Sequence, residues 1–426
     1  MTVFGLLLFF SFWVIYKSPF FLLSNRKYVA FLGWIVSIFG GIAVWYIYSK
    51  VYQIERVNAD TFKFFDDALI IGSYFKDYPI DVLKIFFGFY SIENETTYLI
   101  LEKTTHWFRP FHFGEFNDNQ IVIRLNLLIL GLSGGFYFSH LLIFNFLGFV
   151  GVWFLIKILS KHVLLINPYL WGLVFMVPNA WLWNSGVLKE PILIFFLGLF
   201  LFGYWNKFNH SILKPVILIA AVWGLLMIKA YVLLCLFPGL LLITIFKKYN
   251  FWHKAIVLYG VGILFLIAGF FFLSINPSQV IAQKQIDFNN VARLSEANSY
   301  FETFKLEPNP MSLIFNSPMA MVNSIFRPFI WNSNSIFMLI SSLENFGLFI
   351  LLIFSLKKLK KESLFLIQYK NLILIFTINL YVLIGLTTTV SGALVRYKIP
   401  ATILLTLLII MILFEQKNSN NEKALS

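Results

Sequence analysis

Cysteine is all but missing from this chain. Cys235 stands alone in 426 residues, which excludes a disulfide framework and any cysteine-built metal centre. Set inside an apolar run, it reads as an inert thiol buried in lipid. Charge is scarce as well: Asp, Glu, Lys and Arg make up 12% of the chain, where soluble domains carry about 25%. A water-facing surface cannot be covered with so little charge, so a soluble globular protein is excluded. The first stretch, 2–16, has no basic residue ahead of its apolar core and no small-x-small cleavage site. It is expected to be a retained span, not a signal peptide. No internal repeat is visible either.

What the chain has instead is 59% hydrophobic residues, gathered into apolar runs whose lengths match the ~30 Å hydrocarbon layer of a bilayer. They predict an all-α, polytopic transmembrane bundle over 1–415. About eleven spans are expected, near 2–16, 28–48, 137–158, 166–183, 190–205, 213–229, 231–246, 255–274, 335–356, 370–388 and 399–414. Segment 121–133 carries Arg124 and Asn126 and ends at Ser133-Gly134-Gly135; it is expected as a half-helix against the outer interface. The polar tail 416–426 is expected to be disordered and cytoplasmic.

The net charge of +13 could point to nucleic acid, but its placement excludes that partner. Lys17, Arg26 and Lys27 follow the first span, Lys157 and Lys161 the third, and Lys207 and Lys214 the fifth. Lys247, Lys248 and Lys254 follow the seventh, and Lys357, Lys358, Lys360, Lys361 and Lys370 fill the loop after the ninth. Alternate loops are the basic ones, the pattern of cytoplasmic loops, beside anionic lipid. All acids except Glu362, Glu415 and Glu422 fall on the opposite side. That side holds the long loops 49–120 and 275–334, and connections of such length are usually functional or structured. Within the first, 62–87 has the periodicity of amphipathic interfacial helices. An inner-membrane protein with its active face away from the cytoplasm is therefore expected.

Five polar clusters map to that outer face. In Asn58 to Ala68, positions 60, 64, 67 and 71 share one helical face. Asp60 and Asp67 can then converge as a general base for a sugar hydroxyl or as ligands to a hard cation. They can equally be a helix cap and a solvated carboxylate. In Trp183 to Pro191, Glu190 and Pro191 suit a helix start, whereas Lys189 runs against the dipole and suits a phosphate beside free N–H groups. Lys229, next to Tyr231, sits in an apolar stretch where a buried ammonium costs about 2.5–3.5 kcal/mol at mid-bilayer, unless it snorkels to the outer interface. Arg327, held before Pro328, offers a fork for phosphate or carboxylate; Glu344, inside the ninth span, needs a partner, and Arg327 is one candidate. Last, Thr387 to Pro400 brings Arg396 and Lys398 to the final outer turn, as substrate cations or as interfacial anchors. His106, His112 and Glu115 match no metal-site spacing and read as a plain loop cluster. Basic and acidic groups together on one face suit an anionic, phosphate-linked substrate and an acid–base step.

The order of these motifs resembles the bacterial multi-spanning glycosyltransferases of the GT-C class, in the branch related to protein mannosyltransferases. Asp60, Phe64 and Ala68 fit the D-x-x-x-[YF]-x-x-x-A setting of their first outer loop, and Ser185-Gly186-Val187-Leu188-Lys189-Glu190 is similar to an S-G-x-x-K-E turn. Arg327-Pro328-Phe329, Leu343-Glu344-Asn345 and Gly392 to Tyr397 are similar to the later outer motifs, so the resemblance covers about 28–410. Phe64-Phe65 stands where relatives often carry an aromatic-His pair. The resemblance implies a polyprenyl-phosphate-linked sugar donor entering from the membrane and no nucleotide cofactor. Asp60 would act as base or hold a metal, although no D-x-D or D-E pair supports a divalent ion. Lys189, Lys229, Arg327 and Arg396 would neutralise the leaving lipid phosphate. Three other functions remain open: an O-antigen-type polymerase, a lipid or glycan transporter or flippase, and a non-catalytic subunit of an envelope complex.

Overall fold

An apolar segment in hydrocarbon must bond all its backbone N–H and C=O groups internally, and the α-helix is the local way to do so. The computed structural model describes residues 2–24, 26–52, 55–108, 117–163, 165–206, 208, 210, 212–245, 251–272, 276–294, 297–358 and 364–415. Among them the regular structure is entirely helical, with no strand and only two isolated β-bridges, Leu23–Arg26 and Tyr300–Val390. Five helices are long and apolar enough to cross a membrane: Tyr28–Val51, Tyr137–Ser160, Leu213–Thr244, Ile336–Lys358 and Phe365–Thr387. The pair Ser391–Tyr397 and Ile399–Phe414, bent by 54°, makes a sixth if it is one span. The chain is a membrane-embedded helical protein. The helices form two compact units, Met1–Ala230 and Tyr231–Ser426.

The first unit contains α1 (Thr2–Lys17), α2 (Tyr28–Tyr46, prolonged by a π turn, Ile47–Val51), α3 (Asp60–Ser73), α4 (Pro79–Phe87), α5 (Glu95–Glu102), α6 (Asp118–Ser133), α7 (Tyr137–Ser160), α8 (Pro178–Trp183), α9 (Lys189–Trp205) and the first half of α10 (Leu213–Ile245). Its centre is the pairing of α7 with α9. Lipid offers no hydrophobic drive to hold two such helices together, so close packing has to do it. Gly148, Gly151 and Gly198 allow that approach. A Cβ on Gly151 would sit 2.5 Å from the Ile194 carbonyl oxygen, and one on Gly148 would sit 2.6 Å from that of Asn184. Side-chain amides tie α7 to its neighbours: Asn184, in the turn before α9, donates to the Gly148 carbonyl at 3.2 Å, and Asn145 donates to that of Ser37 in α2 at 3.2 Å while accepting from the Gly186 N–H.

Helix α6 is fixed to α7 by a buried chain of three polar residues. Asn126 donates from Nδ2 to the Val122 carbonyl, so its Oδ1 faces the His140 ring at 2.8 Å and takes the Nδ1 proton. The other ring nitrogen is then left to accept from the Ser133 hydroxyl, also at 2.8 Å. All three side chains are buried, and each polar atom needs its partner because nothing else is available to it. This clip fixes where the N-terminus of α6 arrives.

Two apolar stretches differ from the sequence-based expectation. Segment 166–183 is no continuous helix: a 3-10 segment, Pro168–Met176, gives way at Val177 to the six-residue α8. Pro168 and Pro178 each open a helix, because their missing N–H groups are tolerated only at a helix start. The expected spans 213–229 and 231–246 run together as α10, but Lys229 leaves helical geometry at φ −152°, ψ 79°. Each half covers about 24 Å at 1.5 Å per residue. His112 and Glu115 lie outside the described residues, as does the tail 416–426.

The second unit contains the rest of α10, then α11 (Phe251–Phe272), α12 (Pro277–Leu294), α13 (Pro310–Phe326), α14 (Ile336–Lys358), α15 (Leu364–Thr387), α16 (Ser391–Tyr397) and α17 (Ile399–Phe414). The loop 275–334 is thus largely helical. It is sewn to the 386–392 turn by Phe301 N–H to Thr389 O at 3.0 Å and Ser391 N–H to Ser299 O at 2.9 Å. Gln285 adds hydrogen bonds to Phe304 O, Leu386 O and Leu306 N–H. Below that seam, Ala282, Leu306, Ala320 and Leu386 make a small apolar core.

Glycine at the α7–α9 seam should be irreplaceable, whereas Gly131 of α6, whose Cβ would meet nothing within 4 Å, should not. Gly151→Ala should destabilise the protein by about 1–3 kcal/mol through overpacking. Gly131→Ala should be neutral or stabilising by up to about 1 kcal/mol. Thermal unfolding of both variants in one detergent measures the difference.

Candidate functional site

The residues singled out by sequence fall into two sets. Asp60, Asp67, Lys189, Glu190 and Lys229 belong to the first unit; Tyr231, Arg327, Glu344, Arg396 and Lys398 belong to the second.

In the first unit, the starts of α3, α6 and α9 meet the 104–107 turn. Helix α3 buries Phe62, Phe64, Phe65, Asp67, Ala68 and Ile71, so positions 64, 67 and 71 of the expected face point inward while Asp60 stays partly exposed. Its two acids have separate tasks. Asp67, with its side chain 2% exposed, accepts Thr105 N–H on Oδ1 at 2.9 Å and His106 N–H on Oδ2 at 2.8 Å. Both oxygens of Asp67, expected from sequence as a catalytic acid, are hydrogen-bonded to backbone N–H groups. Asp60 is not the N-cap: Ala59 occupies that place, and Asp60 sits in the first turn, where it is ion-paired with Lys63. Its side chain remains 26% exposed.

Lys189 reaches this cluster from the start of α9. It pairs with Asp118 Oδ2 at 2.8 Å and donates to Asn119 Oδ1 at 2.7 Å. Its ammonium lies 5.1 Å from the centre of the Phe64 ring, and that of Lys63 lies 5.0 Å from the same ring. Lys189, expected from sequence as a phosphate ligand, is thus salt-bridged to Asp118 and hydrogen-bonded to Asn119, 70 residues away in sequence. Asp118 and Asn119 also explain why this cation tolerates the positive end of a helix. One residue on, Glu190 is buried and paired with buried Lys229 at 3.2 Å, their side chains 1% and 6% exposed. Lys229 therefore does not snorkel. It bends out of the helix at the break in α10 and neutralises Glu190.

His106, read from sequence as a plain loop residue, lies in the middle of this cluster. Its N–H goes to Asp67, and its carbonyl accepts from Asn119 Nδ2 at 3.0 Å. Ring atom Nδ1 is buried without a hydrogen bond, 3.9 Å from Asp67 Oδ2, and the ring meets Phe64 edge-on. The side chain is 21% exposed. Burial lowers its pKa below the ordinary 6.5, a shift opposed by Asp67 and Asp60 and reinforced by Lys63 and Lys189. Burial also raises Asp67 above 3.8, against the pull of its two N–H donors and of His106. Since folding lowers the pKa of His106, its contribution to stability grows as pH rises through the window below 6.5. No sequence signal could find His106, because its partner lies 39 residues away and matches no motif. Among the described residues no group of three or more His, Cys, Asp or Glu is placed to hold a metal.

The second unit treats its cations differently. Lys398, at the bend between α16 and α17, is buried, and its Nζ donates to Asn345 Oδ1 at 2.6 Å, Ser324 O at 3.2 Å and Arg327 O at 3.3 Å. It also lies within electrostatic reach of Glu344. Lys398, expected from sequence as a substrate cation, thereby caps the end of α13 and holds it to α14. Arg327 stays available. Its guanidinium stacks 4.0 Å from the Phe301 ring centre and 4.9 Å from that of Phe329, and Nε donates to Asn323 Oδ1 at 3.0 Å. Tyr231 and Phe288 both pack their rings against Tyr397, beside Arg396.

No family model, curated protein or solved structure matches this chain.

Two measurements check this geometry. Asp67→Asn should release the 104–107 turn, lowering hydrogen-exchange protection at Thr105 and His106 by about 10- to 100-fold, the worth of charge-assisted hydrogen bonds. Glu190→Ala should cost about 3–5 kcal/mol by removing the carboxylate that pairs with buried Lys229. The double variant Glu190→Leu with Lys229→Met should recover most of that loss in the same unfolding assay.

Proposed function

We propose that this chain is a membrane glycosyltransferase of GT-C type, moving a sugar from a polyprenyl-phosphate donor to an acceptor on the non-cytoplasmic face of a bacterial inner membrane. In this reading the shorter apolar segments also cross, giving about eleven spans, and α3 and α4 lie on the outer interface. One observation carries it. The two motifs that resemble that class, Asp60-x-x-x-Phe64 and Ser185-Gly186-x-x-Lys189-Glu190, are far apart in sequence, yet the Lys189 ammonium lies over the Phe64 ring. A partly exposed carboxylate, an imidazole and two lysines thus share one patch. A patch of that kind can orient a hydroxyl and balance the charge that develops as an anionic group leaves.

Asp60 accepts a hydrogen bond from the acceptor hydroxyl and aligns its oxygen on the sugar C1. Lys63 forms an ion pair with that carboxylate. In the second unit, recognition of a lipid phosphate falls to Arg327, whose planar fork is pre-set by two aromatic rings and Asn323. Transport is the second reading, favoured by the helix breaks at Lys229 and Lys398, which set buried charges on discontinuous apolar helices as transporters do.

Mass analysis of envelope glycans from cells with and without the protein tests the proposal. Transfer predicts a glycan whose mass falls by one sugar when the protein is absent. Asp60→Asn, expressed at the normal level, should give the same truncated glycan. Unchanged glycans in cells lacking the protein would rule the transferase out.

A further inference from the structure

Two side chains from different helices are committed to the backbone of one loop residue: Asp67 of α3 takes the N–H of His106, and Asn119 of α6 donates to its carbonyl. Neighbouring Trp107 is held the same way, its carbonyl accepting from Asn117 Nδ2 at 2.7 Å. Such anchoring fixes the imidazole without using either of its nitrogens. Nδ1 is buried 3.9 Å from Asp67 Oδ2, neither ring nitrogen is engaged in a hydrogen bond among the described residues, and 21% of the side chain is exposed. A rigid backbone, a shielded nitrogen facing a carboxylate and an open second nitrogen are what a general base requires.

We propose that His106 is the proton acceptor of the transfer reaction and Asp67 its positioning residue, an inference that rests on the glycosyl-transfer reading above. As the acceptor oxygen bonds to the sugar C1, its proton passes to Nε2 of His106. The C1–O bond to phosphate breaks, and its electron pair leaves with the polyprenyl phosphate. The imidazolium is stabilised by Asp67, 3.9 Å from Nδ1, and later yields its proton to water. Asp60 is less suited to take the proton, because Lys63 holds it in an ion pair. The charged groups that face the ring are Asp67, Asp60 and Lys63 from α3 and Lys189 from α9. Asp118 of α6 stands behind Lys189. Burial, which lowers the pKa of His106, keeps the ring neutral and able to accept at neutral pH.

The test uses the full-length protein in cells whose own copy is deleted. Glycan extension is followed by an isotope pulse and mass analysis at external pH from 5 to 8. Wild type should show an acid limb below pH 6.5, with activity rising as the ring loses its proton. His106→Gln should lose about 100-fold or more of the rate and lose that limb. Asp67→Asn, which removes the nearest anion, should move the limb to lower pH, and Lys63→Gln, which removes a cation, should move it to higher pH. These opposed shifts are read separately from the His106 variant, and a merely structural His106 would produce neither. Wild-type rate and an intact limb in His106→Gln would overturn this inference and leave the transferase standing. A glycan that never depends on the protein would overturn both.

Discussion

Hydrocarbon offers no hydrogen-bond partner, and this constraint organises every level of the chain. It drives the apolar runs into helices, since each backbone group must close on its own segment. It then acts on the polar side chains that the helices carry inward. Asn126, Ser133 and His140 satisfy one another, Asn145 and Asn184 bond to backbone across helices, and Glu190 takes Lys229. Lys398 finds three acceptors at a helix end. Each of these groups joins elements that apolar packing alone would leave free to slide, because lipid and Leu are equally good solvents for a helix face. Polar groups inside the bundle therefore specify which helices meet.

This division explains which features sequence made legible. Helical class, the membrane and the long apolar runs follow from composition and length, and α7, α14 and α17 lie within a few residues of where hydropathy puts them. Hydropathy says nothing about continuity. Segment 166–183 is apolar throughout, but Pro168 and Pro178 restart the chain twice. The break at Lys229 has no proline or glycine to announce it. There Lys229 pairs with Glu190, buried on another helix, and a pairing between remote residues leaves no local pattern.

The candidate site was legible to the same depth. Sequence could say that Asp60, Asp67, Lys189 and Glu190 belong near one face, because charges avoid lipid and the two motifs sit at helix starts. It could not assign their tasks. The tasks depend on which atoms are already engaged: Asp67 by Thr105 and His106, Lys189 by Asp118 and Asn119, Glu190 by Lys229. Residue type predicts what a group can do, and its partners determine what remains for it to do. Arg327, with its carbonyl bonded and its Nε tied to Asn323, keeps the rest of its fork. Among the proposed phosphate ligands, it differs in that respect from Lys189 and Lys229.

The same accounting separates the two carboxylates of α3. A carboxylate that accepts two backbone N–H bonds in a buried site is strongly committed, since breaking either bond strands a donor away from water. Asp67 is therefore poorly placed to exchange its partners for a substrate during each turnover. Asp60, in the first turn of the same helix, is partly exposed and ion-paired with Lys63, so of the two acids it is the one that solvent reaches. The inner acid builds the turn that presents His106, and the outer acid meets what arrives from solution. Two helical turns and a change in burial convert a repeated residue type into a support and a contact.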